Sequence, residues 1–227
     1  MEKKKNDFIA QGSILAIASI LVRVMGMIYR IPMTAIIGDK GNGFYSYAYS
    51  VYTILLLLSS YSLPLAVSKM VSAKAQLGQW RNVKRVFICA IAFAIGIGTT
   101  FGLIVLIGAQ FFTRVFFHSE LAAIALRFMA PTILIMALLG VFRGFFQGLQ
   151  NTLPTAVSQI VEGLINAIMS VVFAYFLFDF GHGMDAAGGT TDLGYAWGAA
   201  GGAIGTGAGA LAGLIFCFIL FVAYRKI

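Results

Sequence analysis

Residues 8–37 read FIAQGSILAIASILVRVMGMIYRIPMTAII, an apolar stretch interrupted by two arginines, Arg23 and Arg30. The stretch exceeds the roughly 20 residues a helix needs to cross a hydrocarbon core, so it predicts a membrane-spanning helix. Arg23 and Arg30 lie seven residues apart, about two helical turns, and project from nearly the same face. A permanent charge near the bilayer centre costs about 2.5–3.5 kcal/mol on insertion scales. Two on one stripe therefore require a wet cavity rather than lipid. A cavity lined by arginine suits an anion, and phosphate matches the guanidinium fork.

Five further apolar stretches follow, at residues 44–73, 86–112, 121–149, 155–180 and 193–224. With 8–37 they predict an all-α integral membrane protein, a six-transmembrane-helix bundle forming one domain over residues 1–227. The composition agrees: 60% of residues are apolar and 11% charged, against about 25% charged in soluble domains. Strand-like alternation is absent, which argues against a β-barrel. The opening apolar stretch is too long for the roughly 7–15-residue core of a cleavable signal.

Charge placement sets the expected orientation. Lys3, Lys4 and Lys5 precede the first span, Lys69, Lys74, Arg81, Lys84 and Arg85 cluster between the second and third, and Arg225 and Lys226 follow the sixth. With six alternating spans these groups share one side, while Asp39, Glu120, Asp179, Asp185 and Asp192 share the other. The positive-inside rule then places both termini in the cytoplasm. The net charge of +8 is accordingly topology and contact with anionic lipid, not a nucleic-acid footprint.

Connections and breakers complete the outline. Gly38–Gly43 predicts a glycine-rich outer turn, Gln150–Pro154 an inner turn with Thr152 as cap, and 181–192 the longest outer connection, rich in glycine and aspartate and mobile. Pro32, Pro64 and Pro131 should kink their helices, Pro32 beside the buried charge. Gly201, Gly205, Gly209 and Gly213 form a small-residue stripe for close helix packing, against this bundle, a second copy or a further half. Cys89 and Cys217 read as small buried apolar residues.

Among eight acidic residues, Glu162 is the one placed within a span away from its ends, with Gln159 and Asn166 on the same helical stripe. A membrane carboxylate should find an arginine or be protonated. Arg143, at similar depth on the preceding helix, is the expected partner. The pair reads either as a structural link or as part of a gate or ion-coupling device. Arg127 lies near the outer end of its helix and can snorkel. No paired acids, Ser/His set, metal-ligand cluster or Walker loop is found, and His118 and His182 fall in outer loops, so neither enzyme chemistry, a cofactor nor a metal is expected.

The segment Leu21-Val22-Arg23-Val24-Met25-Gly26-Met27-Ile28-Tyr29-Arg30-Ile31-Pro32 resembles the first helix of polysaccharide-transporter and MurJ/SpoVB/YtgP-type flippases. These belong to the multidrug/oligosaccharidyl-lipid/polysaccharide (MOP) exporter superfamily. The run from Phe142-Arg143-Gly144 to Pro154-Thr155-Ala156, continued by Gln159-Ile160-Val161-Glu162, is similar to that superfamily's fourth-to-fifth helix signature. Gly43-Phe44-Tyr45 and Trp197-Gly198-Ala199-Ala200-Gly201-Gly202 extend the likeness along the chain. The resemblance implies a flippase moving undecaprenyl-pyrophosphate-linked saccharide, lipid II or a polysaccharide repeat unit, across the cytoplasmic membrane by alternating access, in envelope or spore-cortex synthesis. It implies pyrophosphate binding by Arg23 and Arg30, and one N-terminal lobe of a two-lobe transporter, partnered by a C-terminal half or a second copy. Where related flippases carry aspartate after the second arginine, this chain has Ile31, so a gating role for that acid does not transfer. The rival expectations are an ion-coupled small-molecule or multidrug exporter and a non-transporting half.

Overall fold

The computed structural model describes residues 2–188 and 192–224, with side chains over 12–186 and 192–223. The basic residues Lys3, Lys4, Lys5, Arg225 and Lys226 used above for orientation lie outside the described side chains. Six helices follow one another: α1 Glu2–Ser59, α2 Leu63–Gln76, α3 Trp80–Phe117, α4 Ala122–Gly148, α5 Leu153–Gly188 and α6 Leu193–Tyr224. Five stretches are long and apolar enough to cross a membrane: Gly12–Gln76, Trp80–Phe117, Ala122–Gly148, Leu153–Ala186 and Leu193–Ala223.

The count differs from six because the first two expected spans run together in Gly12–Gln76, a stretch of 65 residues. A straight helix of that length would measure about 98 Å, roughly three hydrocarbon cores. The chain solves this by bending at Gly38, which alone within α1 leaves helical geometry (φ 63°, ψ −178°). Such a positive φ costs glycine little and any other residue more. The fold-back brings Tyr29 against Tyr45, although sixteen residues along a straight helix would separate them by about 24 Å. The expected Gly38–Gly43 loop is thus one residue of turn, with 39–43 already helical. Gly41 makes the tight return possible, since a Cβ there would sit 2.8 Å from that of Ile37.

Pro32 does not break the helix; the break falls six residues later at Gly38. Pro131 likewise lies inside an uninterrupted α4. Pro64 does mark an interruption: the chain leaves helix at 60–62 and restarts with proline in the first turn of α2, where its missing N–H has no intrahelical role.

Helix α4 is the central element, buried along most of its length and packed on α1, α2, α3 and α6. Small residues make that position possible. Gly140, Gly144 and Gly148 form a notch into which Pro64, Val67, Ser68 and Val71 of α2 fit. Two apolar cores stack along the bundle: one joins Met33, Ile37, Tyr45, Val105, Leu126 and Ile133, the other Val67, Phe87, Leu139, Phe142, Phe146 and Cys217.

The glycine stripe of α6 faces α5, the most extensive helix pair in the fold. A Cβ at Gly201 would strike the backbone of Phe173 and Ala174, and one at Gly205 the backbone of Ser170. At Gly209 it would lie 2.6 Å from the Glu162 carbonyl, and at Gly213 3.4 Å from the Ser158 carbonyl. The stripe is consumed inside the bundle and offers no surface to a second copy.

Two loop expectations need correcting at the same end. Residues 181–188 continue α5 as helix rather than forming a loop, and His182 sits within it, packed on Phe178 and Tyr195. The extension carries Asp185 to the start of α6, where its carboxylate accepts the N–H groups of Leu193 (3.1 Å) and Gly194 (2.9 Å). A carboxylate at a helix N-terminus satisfies orphan donors and the macrodipole together. His118 is the left-handed C-cap of α3. Cys217 is buried, but Cys89 is exposed on α3.

Candidate anion-binding cavity

The two arms of α1 fold back on each other and enclose, with α4, α5 and α6, a cavity of about 570 Å³. Arg23 and Arg30 both line it from the first arm, as their seven-residue spacing requires. Gly163 of α5 lets the arm approach closely, its α-carbon facing Val22 and Met25. That contact sets Arg23 on the same cavity as Glu162 and Asn166. A second, smaller cavity of about 250 Å³ holds Arg143, Gln147, Thr155 and Gln159. Leu56 and Met136 line both, so the two cavities are neighbours that share an apolar stretch of wall.

Glu162 and Arg143 meet. Arg143 donates through Nη2 to Glu162 Oε2 at 2.7 Å and through Nε to Ser158 Oγ at 2.9 Å. The pair is mostly buried, with side-chain exposures of 11% and 24%. Such a pair is held by geometry and added hydrogen bonds, because desolvation offsets much of the Coulomb gain. Thr155 Oγ1 also donates to the Arg143 carbonyl at 3.4 Å, pinning the turn between α4 and α5. Asn151 Oδ1 accepts the Leu153 N–H there, at 3.3 Å. Gln159 receives a long hydrogen bond from Ser19 at 3.5 Å, and Asn166 accepts one from Ser170 at 2.8 Å.

The charge balance of the two cavities follows. Among the described residues Glu162 is the one acid on their walls, and Arg143 already engages it. Arg23 and Arg30 have no carboxylate within 4 Å among the described residues. Both side chains are exposed to the open cavity. Two uncompensated guanidiniums on one wall have the charge and the donor geometry that oxyanions such as phosphate match. Arg127 stays away from this site, exposed on α4.

Residues 8–226 match the family described as "Polysaccharide biosynthesis protein". The chain belongs to this family. Relatives include stage V sporulation protein B of Bacillus subtilis (strain 168), 26% identical over 223 residues, which cover 98% of this chain and 40% of that protein. Lipid II flippase MurJ of the same organism is 27% identical over 163 residues, 68% of this chain and 30% of the relative. The uncharacterized membrane protein YabM, also from that strain, is 26% identical over 185 residues, 81% of this chain and 34% of the relative. The chain thus spans 40% or less of the length of each of these relatives. No solved structure matches it. Membership bears out the expected kinship with lipid-linked flippases of the MOP superfamily. Together with the apolar helices it makes this a multi-pass protein of the cell membrane.

Within this family member the sequence reading missed the opposite wall of the cavity. Tyr45, Tyr49 and Tyr52 line it from the second arm of α1, with Tyr29 on the first arm. Their spacing of four and three residues places them on one helical face. That periodicity was available in the sequence, but tyrosines in an apolar stretch are ordinarily core or interface residues.

Proposed function

We propose that the chain is one lobe of a flippase that translocates an undecaprenyl-pyrophosphate-linked saccharide from the cytoplasmic to the outer leaflet. Arg23 and Arg30 hold the pyrophosphate while the prenyl tail stays in lipid. The observation that carries this reading is the uncompensated arginine pair on a cavity whose one acid is engaged elsewhere. A cation exporter would need the reverse, free carboxylates on the wall.

In this reading the chain crosses the membrane six times, with the two arms of α1 counted separately and α2 continuing the second, and both termini lie in the cytoplasm. It performs no covalent chemistry and takes no cofactor. A second lobe, from a further segment or another copy, covers the open side of the cavity, and rocking of the two lobes alternates access. The Arg143–Glu162 pair, which joins the walls of the two cavities, serves as a gate between them. We place this transport in cell-envelope or spore-cortex synthesis, a reading supported by relatives named for sporulation and for flipping lipid II.

The test uses the 227-residue chain in nanodiscs and undecaprenyl pyrophosphate as probe. Arg23→Ala/Arg30→Ala should lower affinity at least tenfold while expression, insertion and thermal unfolding stay near wild type. Undiminished binding by that variant would remove the pyrophosphate role.

A further inference from the structure

We infer that Tyr49, backed by Tyr45 and Tyr52, is a stacking platform for a pyranose ring of the cargo's saccharide. The inference rests on the flippase reading and assigns the part of the cavity that the arginines leave unused. A cavity of about 570 Å³ is larger than a pyrophosphate fills. The remaining wall is not the plain aliphatic surface a prenyl chain would select. Among aliphatic side chains it carries Tyr29, Tyr45, Tyr49, Tyr52, Asn166 and Thr206, so the exposed ring of Tyr49 and neutral hydrogen-bonding groups interrupt the aliphatic surface. A sugar ring matches such a surface. Its C–H-bearing face carries partial positive charge that meets the negative face of an aromatic ring, while its hydroxyls take the amide and hydroxyl groups.

The three tyrosines of the second arm divide into support and platform. Tyr45 and Tyr52 are buried, at 1% and 3% exposure, whereas Tyr49 is 38% exposed. Tyr45 stacks on Tyr49 with centroids 5.8 Å apart and planes 19° from parallel, and Tyr52 flanks it at 5.9 Å. The Tyr45 hydroxyl pairs with Thr206 Oγ1 at 3.3 Å, which ties the row to α6. Tyr49 is therefore held in place before any ligand arrives, which lowers the ordering cost of binding. Its own hydroxyl makes no hydrogen bond among the described residues.

The experiment compares two probes on the 227-residue chain in nanodiscs, undecaprenyl pyrophosphate and lipid II, which share tail and pyrophosphate and differ in the saccharide-peptide headgroup. Wild type should bind lipid II at least tenfold more tightly. Tyr49→Leu should erase that preference and leave undecaprenyl pyrophosphate binding within twofold, and Tyr49→Phe should keep the preference within threefold. Tyr49→Trp supplies a second readout: its added fluorescence should change with lipid II and not with undecaprenyl pyrophosphate. A wild type without preference, an equal loss of both ligands in Tyr49→Leu, or an indole indifferent to lipid II would each overturn the platform. Failure of wild type to bind either probe would instead sink the flippase reading, and the platform with it.

Discussion

At the scale of single residues, charge in an apolar context was the most legible signal. Arg23 and Arg30 stood out because the bilayer penalises them, and their spacing alone placed them on one face. The structure sets both on one cavity. Arg143 and Glu162 were paired by depth, and they meet at 2.7 Å. The tyrosine row was not read, because an aromatic side chain in a membrane helix carries no penalty to flag it. Gly26 was also silent in the sequence, yet it lines the same cavity and a Cβ there meets nothing within 4 Å. Gly26→Leu should therefore fold normally, with helix propensity improved by up to about 1 kcal/mol. The isobutyl group enters the cavity, so undecaprenyl pyrophosphate affinity should drop at least tenfold. A stable variant with full affinity would show that the cavity is not where the ligand sits.

Helices were legible as apolar runs, but their ends were not. The expected spans stop where hydropathy falls, whereas α3 begins at Trp80 and α5 runs on to Gly188 through polar sequence. Backbone hydrogen bonding outlasts the apolar stretch once a neighbour supports it, as the Asp185 cap supports the start of α6. The glycine stripe was recognised as a seam, while its partner could only come from the packing. That seam makes a prediction for this scale. Gly205→Leu drives a side chain into the Ser170 backbone, and overpacking of this kind costs typically about 1–3 kcal/mol, occasionally more. Its thermal unfolding midpoint should fall well below wild type. Gly96→Ala, in α3 with open space around it, should not lower the midpoint. Equal midpoints for the two variants would mean the α5–α6 contact is looser than described.

For the molecule as a whole, the membrane character followed from composition, and the count of crossings turned on one residue. Hydropathy sees two spans in residues 8–73, while the chain runs them together through Gly38 and breaks instead at 60–62. The orientation read from basic clusters can be checked directly by labelling. In a Cys89→Ala background, which removes the exposed thiol and leaves Cys217 buried, Gln79→Cys should react with a membrane-impermeant maleimide only after permeabilisation. Ser119→Cys should react in intact cells. The opposite pattern would invert the protein in the membrane.

The fold-back at Gly38 has a mechanical consequence. A floppy connector would let the arginine wall and the tyrosine wall slide past each other; a single residue of reversal, clamped on Tyr195 by Gly38 and Gly41, gives no such slack. Short reversals of this kind favour the two walls shifting together. Any widening of the chamber is then expected at its opposite end, where residues 60–62 leave the backbone unbraced by a continuous helix.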